Sequence, residues 1–233
     1  MTDAAPPASL HLMVAQDPEL PPLLQAVARF AWYLWQELGQ PWPLSYTTGP
    51  IGILPPARPT LVIVSMLHEM LPPFAPMSVV AGRWHAMLES LTEVGLPVLL
   101  CNVFRHIGPQ TLGADFPSAQ MLRDRARRLN LLAVELSHRH GADLADIDAR
   151  LAAIGARGLE TDFRLGGWGV AAAADTITCS LLQSEFQSLL PGNAGARTLA
   201  NHGGVIGILA RLQKAVNDGK TPAELDAALR RAV

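Results

Sequence analysis

The run Thr60 to Met70, TLVIVSMLHEM, limits what this chain can fold into more than any other stretch. Six of its first eight residues are apolar, and Pro59 and Pro72-Pro73 bracket it. A strand covered by helices on both faces reads this way, because neither of its sides alternates with solvent. The run is therefore assigned to the central strand of a parallel sheet. Its carboxyl end carries Ser65, His68 and Glu69, at the edge where open α/β sheets bind their ligands.

Other segments fall into place around that strand. Leu10 to Ala15 is short and apolar, and Gln16-Asp17-Pro18 turns it into a helical pattern from Pro21 to Leu38. That helix opens on proline and repeats Leu24, Val27, Ala28, Ala31, Leu34, Trp35 and Leu38 at helical spacing. Proline and glycine crowd Gly39 to Pro59, leaving room for one strand around Leu44 to Thr47, and Gly49 and Gly52 could present backbone amides to a ligand. Ser78 to Val94 reads as a helix closed by Gly95, and Pro97 to Val103 repeats the buried-strand signature. The following loop holds Arg105, His106 and Asp115 on the ligand side of the sheet. A helix is expected over Ala119 to His140 with Gly141 as its cap, then a strand within Ala142 to Ile147, a brief helix through Leu151 to Ile154, and a small-residue helix from Val170 to Leu190.

Repeated strand-helix units with long crossovers imply right-handed connections, a parallel sheet and helices on both faces. The expected fold is a three-layer α/β/α sandwich over residues 1–190. A helical extension over 191–233 follows, with patterns at Ala196 to Asn217 and Pro222 to Val233, packed on the domain or on a second copy of the chain. Thr221, Pro222 and Glu224 form a capping signature for the last helix.

Composition narrows the function classes. A net charge of -2 without a basic stripe offers no electrostatic footprint for nucleic acid. Arg123, Arg125, Arg127 and Arg128 cluster, but Asp124 interrupts them, so they are read as a solvated helix surface. No apolar run reaches the length of a membrane span, so no membrane association is expected. The two cysteines, Cys101 and Cys179, lack metal or redox spacing, and MTDAAPPAS is unlike a signal peptide, so the expectation is cytoplasmic. No cofactor is indicated.

The order of parts from Leu10 to Thr178 resembles the SGNH/GDSL hydrolase family, whose fold is a flavodoxin-like sandwich. The resemblance is carried by Arg128-Leu129-Asn130-Leu131-Leu132, by Gly141-Ala142-Asp143-Leu144-Ala145-Asp146, and by Thr161-Asp162-Phe163-Arg164-Leu165-Gly166 before an alanine-rich helix. It implies ester-hydrolase chemistry, but the family's catalytic identities transfer badly. Where the family has Gly-Asp-Ser, this chain has Gln16-Asp17-Pro18; where it has Gly-x-Asn-Asp, the chain has Leu67-His68-Glu69-Met70. The DxxH turn becomes Asp162-Phe163-Arg164-Leu165, which keeps the acid and loses the base.

Three functional readings follow. In the first, a divergent member without serine-histidine hydrolysis binds a small polar ligand, with Asp17, Gly49, His68, Glu69, Arg105, His106, Asp162 and Arg164 around the inherited cleft. The arginines could fork onto a carboxylate or phosphate. In the second, an ester hydrolase or acyltransferase uses a relocated nucleophile, Ser65 or Ser45, with His68 or His106 as base and Asp162 as the acid. Ser65 and His68 would meet only if the strand bends between them, since residues three apart on a strand face opposite ways. In the third, His68 and Glu69 join His106 or Asp162 around a divalent metal. Self-association through the C-terminal helices is a further expectation.

Overall fold

Leu61, Val62, Ile63, Val64 and Ser65 are all buried, so the central strand is covered on both faces. The structure, a computed structural model, describes residues 8–107, 116–155, 159 and 161–230. Strands β1 (Ala8–Met13), β2 (Leu44–Gly49), β3 (Leu61–Ser65), β4 (Val98–Cys101) and β5 (Asp143–Ala145) form one sheet. Its order is β2-β1-β3-β4-β5 and every pairing is parallel. This is the flavodoxin-like order, in which the chain reverses direction across the sheet between β1 and β3.

Helices α1 (Leu20–Leu38), α2 (Met77–Glu93), α3 (Ala119–His140), α4 (Ile147–Ala153) and α5 (Trp168–Gln183) cover the sheet. Leu61, Ile63, Leu99 and Cys101 point to one core with α1 and α5; Val62, Val64, Val98 and Leu100 point to the other with α2 and α3. Period-two alternation therefore splits each strand between two apolar layers, which makes the three-layer sandwich.

Two helical patterns are divided. The expected helix to Leu190 ends at Gln183, where Ser184 turns extended and its hydroxyl accepts from the Phe186 amide at 3.3 Å. A serine able to cap the next turn competes with continuing the helix. The pattern from Ala196 to Asn217 splits into α6 (Ala194–Asn201) and α7 (Gly204–Asn217). Gly203 and Gly204 both take left-handed backbone there, with φ of 74° and 70°. Gly207 lets the two helices meet, since a side chain on it would lie 2.0 Å from the His202 carbonyl. Helix α8 (Pro222–Arg230) follows.

Ala194, Ile208 and Leu212 belong to the same core as Phe30, Leu34 and Leu182, so α6 and α7 dock on α1 and α5 of their own chain. No described helix is long and apolar enough to cross a membrane.

Candidate functional site

The turns that leave β1 and β3 meet at the carboxyl edge of the sheet, and a buried carboxylate joins them. Glu19, fully buried, closes the turn after β1: its Oε2 accepts from the Ala15 and Gln16 amides at 2.7 and 3.1 Å. Its Oε1 accepts from the His68 amide at 3.2 Å and from His68 Nδ1 at 2.8 Å. After Ser65 the chain leaves the strand for a single 3₁₀ turn, Leu67–Met70, which swings His68 and Glu69 inward. His68 Nε2 lies 3.2 Å from Glu69 Oε1, so the imidazole bridges two carboxylates.

Glu69 is held on every side. Its Oε1 accepts from Arg83 at 2.5 Å and from the Trp84 indole at 2.9 Å, and Arg125 Nη2 stands 3.6 Å from Oε2. Arg125 also donates from Nε to the Glu69 carbonyl at 2.5 Å and from Nη1 to the Ala75 carbonyl at 2.8 Å. The side chain of Arg125 is only 12% exposed, so of the four clustered arginines it faces inward while Arg123, Arg127 and Arg128 remain on the surface. Two carboxylates thus face three cations, leaving one positive charge in excess.

The electrostatics follow from this packing. Burial disfavours the charged imidazolium of His68, but hydrogen bonds and charge from Glu19 and Glu69 outweigh it and raise its pKa to about 9. Burial likewise opposes ionisation of Glu69, yet His68, Trp84 and Arg83 overcome it and bring its pKa down to about 2. At neutral pH, His68 is charged and donates from both nitrogens. An imidazolium in that state has no lone pair for a proton or a metal.

Ser65 and His68 are not joined through the serine hydroxyl. The Leu67 amide donates to Ser65 Oγ at 3.1 Å, while His68 Nδ1 approaches the Ser65 carbonyl at 3.1 Å. Ser45 lies on the edge strand and donates to the Ala8 carbonyl at 3.4 Å. Asp17 is exposed on the turn after β1. Gly49 ends β2 beside the His11 ring; a side chain there would come within 2.9 Å of His11 Cε1.

The loop after β4 and the turn before α5 form a second group. The His106 carbonyl accepts from the Phe163 amide at 2.8 Å, tying the two segments together. Asp162 Oδ1 accepts from the Arg164 amide at 2.9 Å and its Oδ2 pairs with the Arg164 guanidinium at 2.5 Å, so this acid and base neutralise each other locally. Arg105 pairs with Asp148 through both its amide and its guanidinium. Asn130 clamps Val103, donating to its carbonyl at 2.9 Å and accepting from its amide at 3.1 Å. Asp115 lies outside the described residues. Among the described residues, no three histidine, cysteine, aspartate or glutamate side chains gather as metal ligands.

A cleft of about 410 Å³ opens between the segment entering α2 and the first turns of α3. Phe74, Met77, Pro117 and Met121 form its walls, and Arg125 and Arg128 its charged side. Phe74 stands edge-on to Phe116 at 6.1 Å, and Phe116 edge-on to Phe163 at 6.0 Å. Arg125 lies over Phe74 at 5.5 Å, so the buried charge cluster reaches the cleft through one guanidinium.

Reasoning from sequence picked out His68 and Glu69 but missed Glu19, Arg83, Trp84 and Arg125. Glu19 left one signal, a glutamate three residues after Gln16 at a helix start, the spacing of a capping box. The others lie on helices whose rotation is set only by packing.

No protein-family model and no curated protein matches this chain. Among solved structures, a chain described as "a putative SGNH hydrolase from Slackia heliotrinireducens" aligns at 15% identity and a TM-score of 0.43, over 76% of this chain and 100% of that one.

Proposed function

We propose that this chain is an SGNH-hydrolase-like domain that does not hydrolyse esters through a serine-histidine pair. It serves instead as a binding or accessory protein for a small polar ligand bearing an acyl, sugar, carboxylate or phosphate group. The observation that carries the reading is the state of His68. Both of its nitrogens are committed to Glu19 and Glu69, and it is already protonated at neutral pH. A general base needs a free lone pair near the operating pH, and this imidazole lacks one. Glu69, placed where the family resemblance expects an oxyanion donor, would repel the charge that develops in acyl transfer.

The test is hydrolysis of p-nitrophenyl acetate and butyrate by the purified chain. Ser65→Ala and His106→Ala are expected to match the wild type at the protein-free background rate. Turnover abolished by either substitution overturns the reading in favour of a relocated nucleophile. Binding is checked by thermal melts against carboxylates, phosphates and sugars, because a ligand that binds only the folded state raises the melting temperature by mass action.

A further inference from the structure

From the cleft between Phe74 and α3 we infer the ligand class: a single-headed organic anion, with an aliphatic or aromatic body seated on Phe74, Met77 and Met121 and its anionic head at Arg128. This rests on the non-hydrolytic binding reading above and deepens it. The cleft's volume of about 410 Å³ falls in the range of small-molecule sites, roughly 300–1,000 Å³. Its two methionines are unbranched and polarisable, and they adapt to bodies of different shape.

Charge decides the sign of the head. Among the described residues lining the cleft the acidic one is Asp124, and it is already engaged by Gln120 at 3.1 Å and by Arg127 at 3.4 Å. Arg128 is exposed and has no carboxylate partner among the described residues. Behind the wall, Glu19 and Glu69 are answered by His68, Arg125 and the half-exposed Arg83, so the interior carboxylates are compensated and do not oppose an anion. The lining holds two guanidiniums, Arg125 and Arg128, against the one engaged carboxylate of Asp124, and a low-dielectric wall concentrates that positive balance on an incoming ion. Arg125 donates from Nε and Nη1 to the carbonyls of Glu69 and Ala75 and faces Glu69 with Nη2 at 3.6 Å, so it orders the wall, whereas the exposed Arg128 fork is available to a carboxylate or phosphate.

The probes are decanoate, decyl phosphate, 1-decanol and decyltrimethylammonium, each titrated calorimetrically into the full chain below its micelle-forming concentration. One or both anions are expected to bind, and which one does separates a carboxylate from a phosphate head; the alcohol and the cation should bind at least about tenfold more weakly. Arg128→Gln should weaken the anion about tenfold, Arg128→Lys should retain most of the affinity, and Met121→Asp should abolish it. Both positions are exposed, so the variants keep the fold. Equal binding of 1-decanol and decanoate, an unchanged Arg128→Gln titration, or no binding by either anion overturns the assignment. Serine-dependent ester turnover would overturn the underlying reading whatever the anions do, while absent turnover together with absent anion binding overturns the cleft assignment alone.

Discussion

Glu19 accepts four N–H groups with two oxygens, two on each, and is fully buried. That count makes the site sensitive to a change of one atom. In Glu19→Gln the amide nitrogen opposes two donors whichever way it is flipped, and the His68 cation loses one of its two counter-charges. Breaking a buried pair from one side costs about 3–5 kcal/mol, much of it from the charge left behind. Urea denaturation should show Glu19→Gln destabilised by about 3 kcal/mol, nearly as much as Glu19→Ala; a loss below about 1 kcal/mol would sink this account. At this scale the sequence was legible in part. Asp162 and Arg164 lie two apart and meet through a local turn, so their pairing could be anticipated. Glu19 and His68 are 49 positions apart, and only the sheet brings them together.

Helices α1 and α5 show the same logic between elements. Ala26 from α1 and Ala171 to Ala174 from α5 let the two backbones approach closely, and the buried Arg29–Asp175 pair sits in that contact at 2.8 Å. Arg29 also donates to the Ala171 carbonyl at 2.5 Å. Asp175→Ala should therefore cost about 3–5 kcal/mol, because it removes the carboxylate that compensates a buried guanidinium between two helices. The double variant Arg29→Met, Asp175→Leu should recover most of that loss, as hydrophobic replacements of buried ion pairs commonly do. A double-mutant cycle read by chemical denaturation decides it: if the double variant is no more stable than Asp175→Ala, the pair is not the cause. The bounds of α1, α2 and α3 were legible because apolar period and flanking glycine or proline agree, whereas the run from Thr60 to Met70 leaves the strand after Ser65 for a 3₁₀ turn that its apolar content does not report. The end of α5 and the split between α6 and α7 were not, because Ser184 and the Gly203-Gly204 step act through local backbone geometry that apolar periodicity does not report.

The whole molecule feels the charge cluster through pH. His68 holds its proton more tightly folded than unfolded, so its contribution is complete below about pH 6.5 and is lost as pH rises to about 9. A displacement of that size corresponds to ~3 kcal/mol. Glu69 runs the other way: its contribution is complete above about pH 4.5 and is lost as pH falls toward about 2. The two share the His68–Glu69 contact, so their losses do not add. Denaturation at about pH 6 and about pH 9.5 should show the wild type losing some ~3 kcal/mol more than His68→Gln between the two conditions. Parallel losses in both proteins would remove His68 as the cause.

The layered sheet, its parallel sense and the positions of the main helices were determined by the sequence alone, because burial on two faces and helical period are written in the spacing of apolar residues. Tertiary structure alone decided which way His68, Glu69 and Arg125 turn, what answers their charges, and that the C-terminal helices settle on their own chain. Those outcomes depend on which distant residues share a low-dielectric space, and chain spacing carries no record of that.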